Sequence, residues 1–496
     1  MGDASFNLDP LQVVIFVGLT ALIGLLTYFG TRGHRSGESG EQDYFLAGGS
    51  LKWYFVAGSI TLTNLSTDQL IGMNGNQMAL LAWWELAAVV GLLMLAFVFI
   101  PVYYKYNCTT TTELLERRYG NRHIRALISL LFLAGNIFIF LPSILYGGSL
   151  FMEQMFGLQG ISVWWIAIAF AVVGSAYAIF GGLRAVAVSD TTSGILILGL
   201  ALYVTWLSLA AIDFDVSGVP AERLSMVGSF ESPIPFATLF TGMLFIQMFY
   251  WSTNQTITQR AMASPTVREA QKGILAAAAI RLLIVPPIIV IPGIVSFKLF
   301  GEIPNNQAYG QLVSALLPAA LAGAFAAALA AAVLTTFNSI LNASAALWVM
   351  DIHESYIDRN PDVRRLSLWV SLAMVALAFL MFPVFKNGGN LINQIQEYYG
   401  YLSMPILSAF VVGLLFRNVE ANAVIISVIF AVAFYAFQVN VFPAWPGGNF
   451  IHNMAITLFT SIALALFLNR FVFGKRAEWD AGRVFRHTPE EMTPIA

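Results

Sequence analysis

The chain has 496 residues, of which 58% are hydrophobic, 14% aromatic and only 10% charged, and its mean hydropathy is +0.74. A soluble globular protein carries about 25% charged residues, so this composition excludes an ordinary soluble domain and places the chain in a membrane. The formal net charge of −2 gives no support to a nucleic-acid partner, and the single cysteine excludes an internal disulfide.

The first apolar run, residues 11–29, is predicted to be a membrane span with its N-terminus outside. Asp3 and Asp9 precede it and the first basic residue is Arg32, whereas a secretory signal peptide begins with a positively charged segment. Because a span needs about 20 largely apolar residues, the sequence predicts 13 spans. They lie near residues 10–30, 52–74, 80–104, 124–150, 161–180, 188–211, 236–257, 272–298, 308–345, 366–386, 390–416, 419–442 and 450–473.

The placement of basic residues tests this count independently. With the N-terminus outside, 21 of the 25 lysine and arginine residues fall on the cytoplasmic side, among them Arg260 in the connection between the spans near 236–257 and 272–298. Three fall outside, and Arg281 lies well inside a span. A miscounted span would reverse the bias downstream of it, so the positive-inside rule favours 13 spans with an external N-terminus and a cytoplasmic C-terminus.

The predicted spans are arranged as two similar halves. Five begin near residue 52 and five near residue 236, in opposite orientation because an odd number of spans separates equivalent ones. The sequence therefore predicts an all-α polytopic membrane protein, built as a five-plus-five inverted repeat with one extra span before it and two after it. The predicted units are 1–50 (N-terminal helix and loop), 51–211 and 236–416 (the repeats), 417–473 (two C-terminal helices) and 474–496 (a cytoplasmic tail).

Two short polar stretches interrupt the apolar spans at corresponding places in the two halves. Residues 63–69 are followed by Gly72 and Gly75, and residues 250–255 come roughly 180 residues later. Unpaired polar groups are costly in a bilayer, so paired broken spans of this kind are typical of the central site of a secondary transporter. Opened backbone carbonyls suit a hard monovalent cation, and amide side chains suit the hydroxyls of a neutral solute. A polar helix face packed against its neighbours is the alternative interpretation.

A pair of tryptophans and an acid, Trp83, Trp84 and Glu85, lies near the outer end of the next span. An acid at that depth is expected to face protein or water rather than lipid. A carboxylate that accepts from two vicinal hydroxyls, with aromatic faces beside it, is a common device for binding sugars. The alternative interpretation is that the tryptophans belong to the aromatic belt at the membrane–water interface and that the Glu85 side chain extends to that interface.

The alanine-rich span that ends near residue 345 carries a polar stripe. Thr335, Asn338, Ser339 and Asn342 follow the spacing i, i+3, i+4, i+7, so they lie on one helical face. The adjacent hydroxyls of Thr335 and Thr336 offer neutral oxygens, which fit Na⁺ better than a proton or a divalent ion. Tight packing of small residues with hydrogen bonds between helices is the alternative.

Three further polar residues stand out, and none of them indicates an enzyme. Asp190 lies at a predicted span end. We interpret it first as a helix cap, and its alternative roles are an acid on the ion's exit route or a ligand of a second ion. Gln396 lies in another polar break, and Arg281 is the one basic residue predicted well inside a span, which marks it as functional or paired with an acid. The sequence has no histidine cluster, phosphate-binding glycine loop or nucleophile motif, so we expect no enzymatic activity.

Taken together, these segments resemble the sodium/solute symporter family, most closely its sodium–glucose cotransporter branch of bacterial type. The similarity runs from about Asp43 to about Arg417. Its most specific elements are residues 43–49, 64–75, 180–190, 250–260 with 270–273, and 394–400. The resemblance implies the amino-acid-transporter-like five-plus-five fold and Na⁺-driven uptake by alternating access.

The resemblance also implies where Na⁺ binds. In the family the main site combines backbone carbonyls of the first broken span with oxygens of the long core helix. The matching positions here are Leu62, Leu65, Ala332, Thr335 and Thr336. Some members hold a second Na⁺, for which the matching positions are Asp190, Thr335, Asn338 and Ser339. One ion or two stays open, and no organic cofactor is expected.

The solute site and its gates follow from the same resemblance. The positions that match the family's sugar site are Asn64, Gln69, Glu85, Ala88, Gln247, Arg281 and Gln396. The gate positions are Met73 and Trp84 as an outer lid, Tyr250 as the inner gate and Ile392 in place of an outer-gate aromatic. Ala88 stands where a serine is common, Gln247 for an asparagine and Arg281 for a lysine. These departures change the shape of the pocket, although a polyhydroxylated neutral solute still fits.

We therefore predict a Na⁺-coupled symporter that imports a monosaccharide such as glucose or galactose, or a related polyol. It is expected to work as a monomer in a bacterial inner membrane, with the solute, Na⁺ and membrane lipid as its partners. The alternatives are a Na⁺ symporter for sialic acid, another sugar acid or an amino acid, and a transporter-like sensor. An acidic solute is disfavoured because the sialic-acid branch uses an arginine in the span near 124–150, which has none past Arg125.

Overall fold

The computed structural model describes residues 9–31, 45–158, 160–304, 306–441 and 449–481, apart from the side chains of residues 30, 31, 176–182, 184 and 185. Part of the predicted cytoplasmic connection after the first span, residues 32–44, lies outside the described residues. The same holds for most of the predicted tail, residues 482–496.

Helices follow the predicted spans through the first half of the chain. The α-helices are α1 (Pro10–Thr31), α2 (Trp53–Asn64), α3 (Trp83–Met94), α4 (Ile100–Lys105), α5 (Glu113–Tyr119), α6 (Arg122–Gly135), α7 (Leu141–Met155) and α8 (Val163–Ala211). Short 3₁₀ segments lie at Ala47–Gly49 and Ala79–Ala82, and π-helical segments at Asp68–Met73, Leu95–Phe99 and Asn136–Phe140.

The second half is also helical apart from one pair of very short strands. Its α-helices are α9 (Ala221–Leu224), α10 (Gly242–Ser252), α11 (Gln255–Met262), α12 (Val267–Leu283), α13 (Val285–Phe300), α14 (Ala308–Leu316), α15 (Ala319–Ala346), α16 (Glu354–Tyr356), α17 (Val363–Asn387), α18 (Leu391–Leu415), α19 (Ala421–Val441) and α20 (Phe450–Phe471). A 3₁₀ segment lies at Phe236–Phe240 and a π-helical one at Leu347–His353. Strands β1 (Phe416–Arg417) and β2 (Glu478–Trp479) pair antiparallel, with Phe416 opposite Trp479.

Ten helices among the described residues are long and apolar enough to cross a membrane. Of the 13 predicted spans, the two with polar interruptions have no such helix, and the span near 161–180 matches the shorter apolar segment Val163–Ser175. A span that is interrupted consists of shorter helices, none of which is long enough to cross a membrane alone. Two of the three spans without a long helix are therefore the two that were predicted to be broken. The count of 13, the orientation of the termini and the unit boundaries stay predictions.

Both polar stretches interrupt helices in the structure. After α2 ends, Leu65 leaves the helical conformation with φ −80° and ψ 66°, and the chain resumes as the π-helical segment Asp68–Met73. In the second half, Asn254 separates α10 from α11, and its side-chain oxygen accepts a hydrogen bond from the backbone N–H of Thr256 at 2.9 Å. An asparagine in this role satisfies one of the donors that a helix N-terminus leaves open. The breaks thus occur at the residues that the sequence indicated.

The loop expected between the spans near 161–180 and 188–211 is helical instead, because α8 is a single helix of 49 residues. At about 1.5 Å per residue this helix is more than twice as long as the ~30 Å hydrocarbon core, so the two crossings predicted there stay a prediction. Residues 183–188 contain no proline and no asparagine or aspartate that would end a helix. Gly174 in its first part lies against Phe337 of α15, and Gly194 in its second part lies against Leu62 of α2. Both parts of α8 therefore border the same core.

Helix α15 forms the centre of the packing and brings its polar stripe to the first broken span. It packs against α8 and α1, and 83% of its most apolar stretch is buried. Alanine and glycine allow this close approach, since a Cβ at Gly323 would overlap the backbone oxygen of Gln12 in α1. Elsewhere in the core, α12 packs on α2 and α10 packs on α3. These contacts bring the residues of the candidate site together.

Candidate functional site

A buried ion pair lies between α3 and α12. The Arg281 guanidinium donates to one carboxylate oxygen of Glu85 and, at 3.0 Å, to the backbone oxygen of Thr61 next to the first break. The amide of Gln69 donates to the other oxygen of Glu85. The side chains of Arg281 and Glu85 are 0% and 2% exposed, a burial that unpaired charges would not tolerate. The two charges compensate each other, so the pair contributes no net charge to the site.

Aromatic and amide groups of α10 hold this pair in place. The guanidinium carbon of Arg281 lies 4.5 Å from the ring centre of Trp251, a cation–π geometry. The indole N–H of Trp251 donates to the Gln247 oxygen at 2.8 Å, and the Gln247 amide donates to the Trp84 backbone oxygen at 2.9 Å. Gln247 therefore fixes α10 to α3, and the sequence prediction had not included Trp251.

The predicted inner-gate tyrosine contacts the first broken span directly. The Tyr250 hydroxyl donates to the side-chain oxygen of Asn64. Its ring centre lies 6.2 Å from those of Phe140 and Tyr399, and the Tyr399 hydroxyl accepts from Asn254 at 3.0 Å. The two broken spans are thus joined at their interruptions, with aromatic rings around the junction.

Several polar atoms around this network are buried and have no hydrogen-bond partner. They are Asn64 Nδ2, Gln69 Oε1, Trp84 Nε1 and Arg281 Nε, three donors and one acceptor. More than about 90% of the buried polar groups in native proteins have a hydrogen-bond partner. Four unpaired groups in one network therefore indicate that a partner binds there. A polar ligand among these four side chains would supply the missing partners.

The remaining residues predicted for the solute site and the gates differ in how deeply they are buried. Ala88 is fully buried and Gln396 is half-buried on α18, and no described hydrogen bond joins the Gln396 side chain to the network. Met73, Trp84 and Ile392 are buried. The start of α18 closes on the first broken span, because a Cβ at Gly72 would lie 2.9 Å from the backbone nitrogen of Ile392.

Three of the residues predicted for the main Na⁺ site, Ala332, Thr335 and Thr336, lie on α15, which contacts the first broken span through Thr336. The Thr336 hydroxyl lies 3.2 Å from the Thr63 backbone oxygen and 2.8 Å from that of Ala332, and the Thr335 hydroxyl also contacts the Ala332 oxygen at 3.2 Å. Leu62 and Leu65 flank Thr63 and are buried. Neutral hydroxyl and carbonyl oxygens from two elements are the donor set that a hard cation prefers. No group of three His, Cys, Asp or Glu side chains suited to a metal occurs among the described residues.

A buried arginine occupies the region predicted for a second Na⁺. Asp190 accepts from Ser59 at 2.5 Å, and the Arg260 Nε atom lies 3.9 Å from the same carboxylate oxygen. Arg260 also donates to Ser59 at 2.7 Å and to Ser339. Asp190 Oδ1 and both polar atoms of Asn338 have no partner. The expectation that Arg260 lies in a cytoplasmic connection is wrong: α11 continues to Met262 and buries the side chain completely.

The sequence analysis did not identify Asp351, a second buried acid. Asp351 follows α15 in the π-helical segment Leu347–His353 and is fully buried. Its oxygens accept from the hydroxyls of Thr110, Thr112 and Ser129, and Arg125 forms an ion pair with it at 2.6 Å. The run of four threonines at 109–112 beside an arginine-rich segment was the available signal. This cluster ties the segment after α15 to α6 and to the connection between α4 and α5.

Comparison with known proteins assigns the family. Residues 44–430, more than three quarters of the chain, match the sequence profile described as Sodium:solute symporter family. The chain belongs to the sodium:solute symporter family. Members named among its relatives include the uncharacterized symporter YidK of Escherichia coli (strain K12), 33% identical over 84% of this chain and 76% of that protein.

Two further relatives of this sodium:solute symporter are named for their solutes. The sodium/glucose cotransporter of Vibrio parahaemolyticus is 29% identical over 94% of this chain and 91% of its own length. Sodium/myo-inositol cotransporter 2 of Mus musculus is 27% identical over 76% of this chain and 62% of its own length.

Solved structures confirm the fold class. The chain matches a Na⁺-coupled sialic acid symporter in a substrate-bound outward-open state with a TM-score of 0.80 at 17% identity, over 95% of this chain and 99% of that one. It also matches Mhp1, a nucleobase-cation-symport-1 family transporter, with a TM-score of 0.57 at 16% identity, over 86% and 94% of the two chains. The sodium:solute symporter described here therefore has the nearly all-helical, multi-pass, inverted-repeat fold. Its membership of the family shows that it couples solute movement to Na⁺.

Proposed function

We propose that this symporter imports a neutral polyhydroxylated solute, a monosaccharide or a cyclic polyol, by alternating access. The observation that carries the proposal is the group of unpaired polar atoms on Asn64, Gln69, Trp84 and Arg281. Three donors and one acceptor within one buried network match the hydroxyl groups of such a solute, each of which can donate and accept. The names of the glucose and myo-inositol relatives agree with this solute class.

The charge of the site favours a neutral solute over an acidic one. Arg281 already donates to Glu85 and to the Thr61 backbone oxygen. A solute carboxylate would have to take Arg281 from Glu85, which would leave that acid buried without its cation. Breaking a buried pair in this way costs about 3–5 kcal/mol. A hydroxyl-bearing solute avoids this cost because it can bind the remaining polar atoms while the ion pair stays intact.

Coupling to Na⁺ would act through the first broken span. We propose that Na⁺ binds among the Thr335 and Thr336 hydroxyls and the carbonyl oxygens of Leu62, Leu65 and Ala332. Leu62 and Leu65 lie one residue before and two residues after Thr63, whose backbone oxygen Thr336 contacts. The same broken span carries the solute residues, so the ion would order the solute site. The two ligands would then favour one conformation together, which is the thermodynamic condition for coupling.

We further propose that one Na⁺ moves in each cycle. Arg260 places a fixed cation beside Asp190 and Ser339, where a second Na⁺ would otherwise sit among Asp190, Thr335, Asn338 and Ser339. Because like charges repel strongly in a buried site, a second ion would require the arginine to move. A Na⁺ activation curve with a Hill coefficient of about 1 agrees with this proposal, and one clearly above about 1 contradicts it.

The distribution of basic residues supports the proposed orientation in the membrane. We propose that the N-terminus is outside and the C-terminus cytoplasmic, in a bacterial inner membrane, with the monomer as the transporting unit. The unit boundaries proposed from the sequence, 51–211 and 236–416 for the two repeats, each contain one of the broken spans. A cysteine-accessibility assay on residues at the two membrane surfaces would test this orientation.

A binding assay tests the solute site. The Gln69→Ala variant removes one member of the unpaired group and a donor to Glu85. We expect it to lose Na⁺-dependent binding of labelled glucose or myo-inositol while it elutes as a folded protein. Gln438→Ala is the matched control, because Gln438 is equally buried but bonds to Thr457 in the C-terminal helices. Normal solute binding by Gln69→Ala would contradict the proposed site.

A further inference from the structure

Helix α11, which follows the second break, is polar and yet completely enclosed. All eight of its residues are buried, and five of them carry polar side chains: Gln255, Thr256, Thr258, Gln259 and Arg260. The Thr256 hydroxyl and the Gln259 Oε1 atom have no hydrogen-bond partner among the described residues. Polar residues at this depth of a membrane protein normally face other protein groups or a water-filled cavity. A polar helix with unpaired buried groups therefore indicates an element that meets water in another conformation of the transporter.

Two tyrosines attach α11 to α4. The Tyr104 hydroxyl lies 2.6 Å from the backbone oxygen of Ser264 and 3.1 Å from that of Ala261, at the far end of α11. The Tyr103 hydroxyl donates to the backbone oxygen of Ser252, just before the break, at 3.1 Å. Helix ends leave backbone oxygens open, and these hydroxyls satisfy them on both sides of α11. Helices α4 and α11 therefore form one unit.

The threonine segment, residues 109–112, is anchored to a different unit. Two of its hydroxyls donate to Asp351 after α15. Arg125 of α6 pairs with Asp351 and with Glu116 of α5. These contacts join the threonine segment to α5, α6 and the segment after α15. Between α4 and the threonine segment, Asn107 has a left-handed backbone with φ 48°, a conformation that asparagine tolerates better than most residues. The chain passes from the first unit to the second at this turn.

One buried amide joins the two units at the start of α11. Gln255 is the first residue of α11 and is 1% exposed. Its Oε1 atom accepts from the backbone N–H of Thr111 at 2.8 Å, and its Nε2 atom donates to the backbone oxygen of Thr109 at 3.3 Å. Both ends of the amide are thus used by the threonine segment, which fixes its orientation. Tyr250, the proposed inner gate, lies only five residues earlier.

We propose that Gln255 is a positioning residue that keeps the inner gate closed. Inward opening would separate α11 from the threonine segment, break both bonds of the Gln255 amide and admit water to the polar side chains of α11. The bond between Arg260 and Ser339 would open in the same movement, because it joins α11 to α15. The tyrosine contacts to α4 and the cluster around Asp351 would stay intact. This inference rests on the proposed alternating access through Tyr250, and it does not depend on which solute is carried.

The labelling rate of a cysteine in α11 tests this proposal on the full-length protein. Thr256→Cys places a thiol at a buried position beside Gln255, and Cys108→Ala removes the one native cysteine. The rate of reaction with a water-soluble maleimide, measured without solute, reports how often α11 is exposed. Gln255→Met keeps a similar side-chain length and loses both hydrogen bonds. We expect it to raise the rate about 5- to 150-fold, the change that corresponds to two ordinary hydrogen bonds.

Gln271→Met in the same background is the matched control. Gln271 of α12 donates to the backbone oxygen of Ala96 at 3.0 Å, and Ala96 lies in the π-helical segment that leads directly into α4. Helix α12 packs on both α4 and α11, so this bond lies within one unit. Its loss should leave the labelling rate unchanged, although it removes the same kind of contact.

A milder variant keeps the test decisive if Gln255→Met fails to fold. Gln255→Glu retains the acceptor for Thr111 but loses the donor to Thr109, so the rate should rise about 2- to 12-fold. Unchanged labelling in the folded Gln255 variants, or an equal increase in Gln271→Met, would overturn the proposal. Because the assay contains no solute, an error in the proposed solute class would leave its result unchanged.

Discussion

The contact between Gly194 and Leu62 gives the sharpest test of the proposed Na⁺ site. Gly194 lies in α8 directly against the Leu62 side chain: an added Cβ would overlap its Cδ1 and Cγ atoms and lie 2.6 Å from Cδ2. Leu62 is 3% exposed, so it has little room to rotate away. In Gly194→Ala the leucine would push the first broken span at the residue whose carbonyl oxygen is a proposed Na⁺ ligand.

The size of the effect follows from the cost of overpacking. Inserting a methyl group into a close-packed core costs about 1–3 kcal/mol. The displaced residue carries an ion ligand, so the Na⁺-bound state should bear most of this cost. With about 1.4 kcal/mol for each tenfold change, the Na⁺ concentration for half-maximal uptake should rise by about 5- to 150-fold.

Uptake by reconstituted protein at a series of Na⁺ concentrations measures this shift. Gly199→Ala is the matched control, because Gly199 lies on the same helix and a Cβ there would meet nothing within 4 Å. Adding Leu62→Ala to Gly194→Ala should recover part of the Na⁺ affinity by removing the overlap. If Gly194→Ala and Gly199→Ala need the same Na⁺ concentration, the reasoning that links Leu62 to the ion site is refuted.

Three other variants probe the buried networks. Glu85→Gln should lower the free energy of unfolding by about 3–5 kcal/mol because it leaves Arg281 uncompensated. Thermal unfolding should show that adding Arg281→Met restores stability but not solute binding. Tyr250→Phe removes the donor to Asn64, so solute affinity from a binding isotherm should fall about two- to twelvefold; unchanged affinity would exclude a role for that contact. Asp351→Asn should cost about 1–3 kcal/mol, measured by thermal unfolding, and an unchanged melting temperature would contradict the described cluster.

The sequence predicted the helix breaks because they follow from local chemistry. The polar stretch that ends at Gln69 and the cap residue Asn254 are residues that a continuous apolar helix would not carry. The stripe from Thr335 to Asn342 was visible for a similar reason, since its spacing depends on the helix period alone. These features needed no knowledge of which helices are neighbours.

The partners of the buried charges could not be predicted in the same way. Arg260 was assigned to a cytoplasmic connection because it lies between the predicted spans near 236–257 and 272–298. Its actual partners, Asp190 and Ser339, come from α8 and α15, far away in the sequence. Asp351 was missed for the same reason, because its partners Thr110 and Ser129 lie more than 200 residues earlier. Contacts between distant segments depend on the packing, which hydropathy does not encode.

The boundary inside α8 shows a limit of turn signals. The predicted spans near 161–180 and 188–211 left a connection between them that contains Gly181 and Gly182, but the helix continues through it. Glycine lowers helix stability by about 1 kcal/mol relative to alanine, which neighbouring packing can outweigh. The proposed count of spans and the proposed orientation of the termini require two crossings within residues 163–211, and the cysteine-accessibility assay tests that requirement.

Transport into proteoliposomes tests the central claim most directly. The protein would be reconstituted and given labelled glucose, galactose, fructose, myo-inositol and sialic acid, with an inward Na⁺ gradient or an equal K⁺ gradient. We expect accumulation of a neutral sugar or polyol only with Na⁺, and a higher Na⁺ requirement in Thr336→Ala. Na⁺-driven accumulation of sialic acid without any neutral solute, or uptake that is equal in Na⁺ and K⁺, would contradict the account.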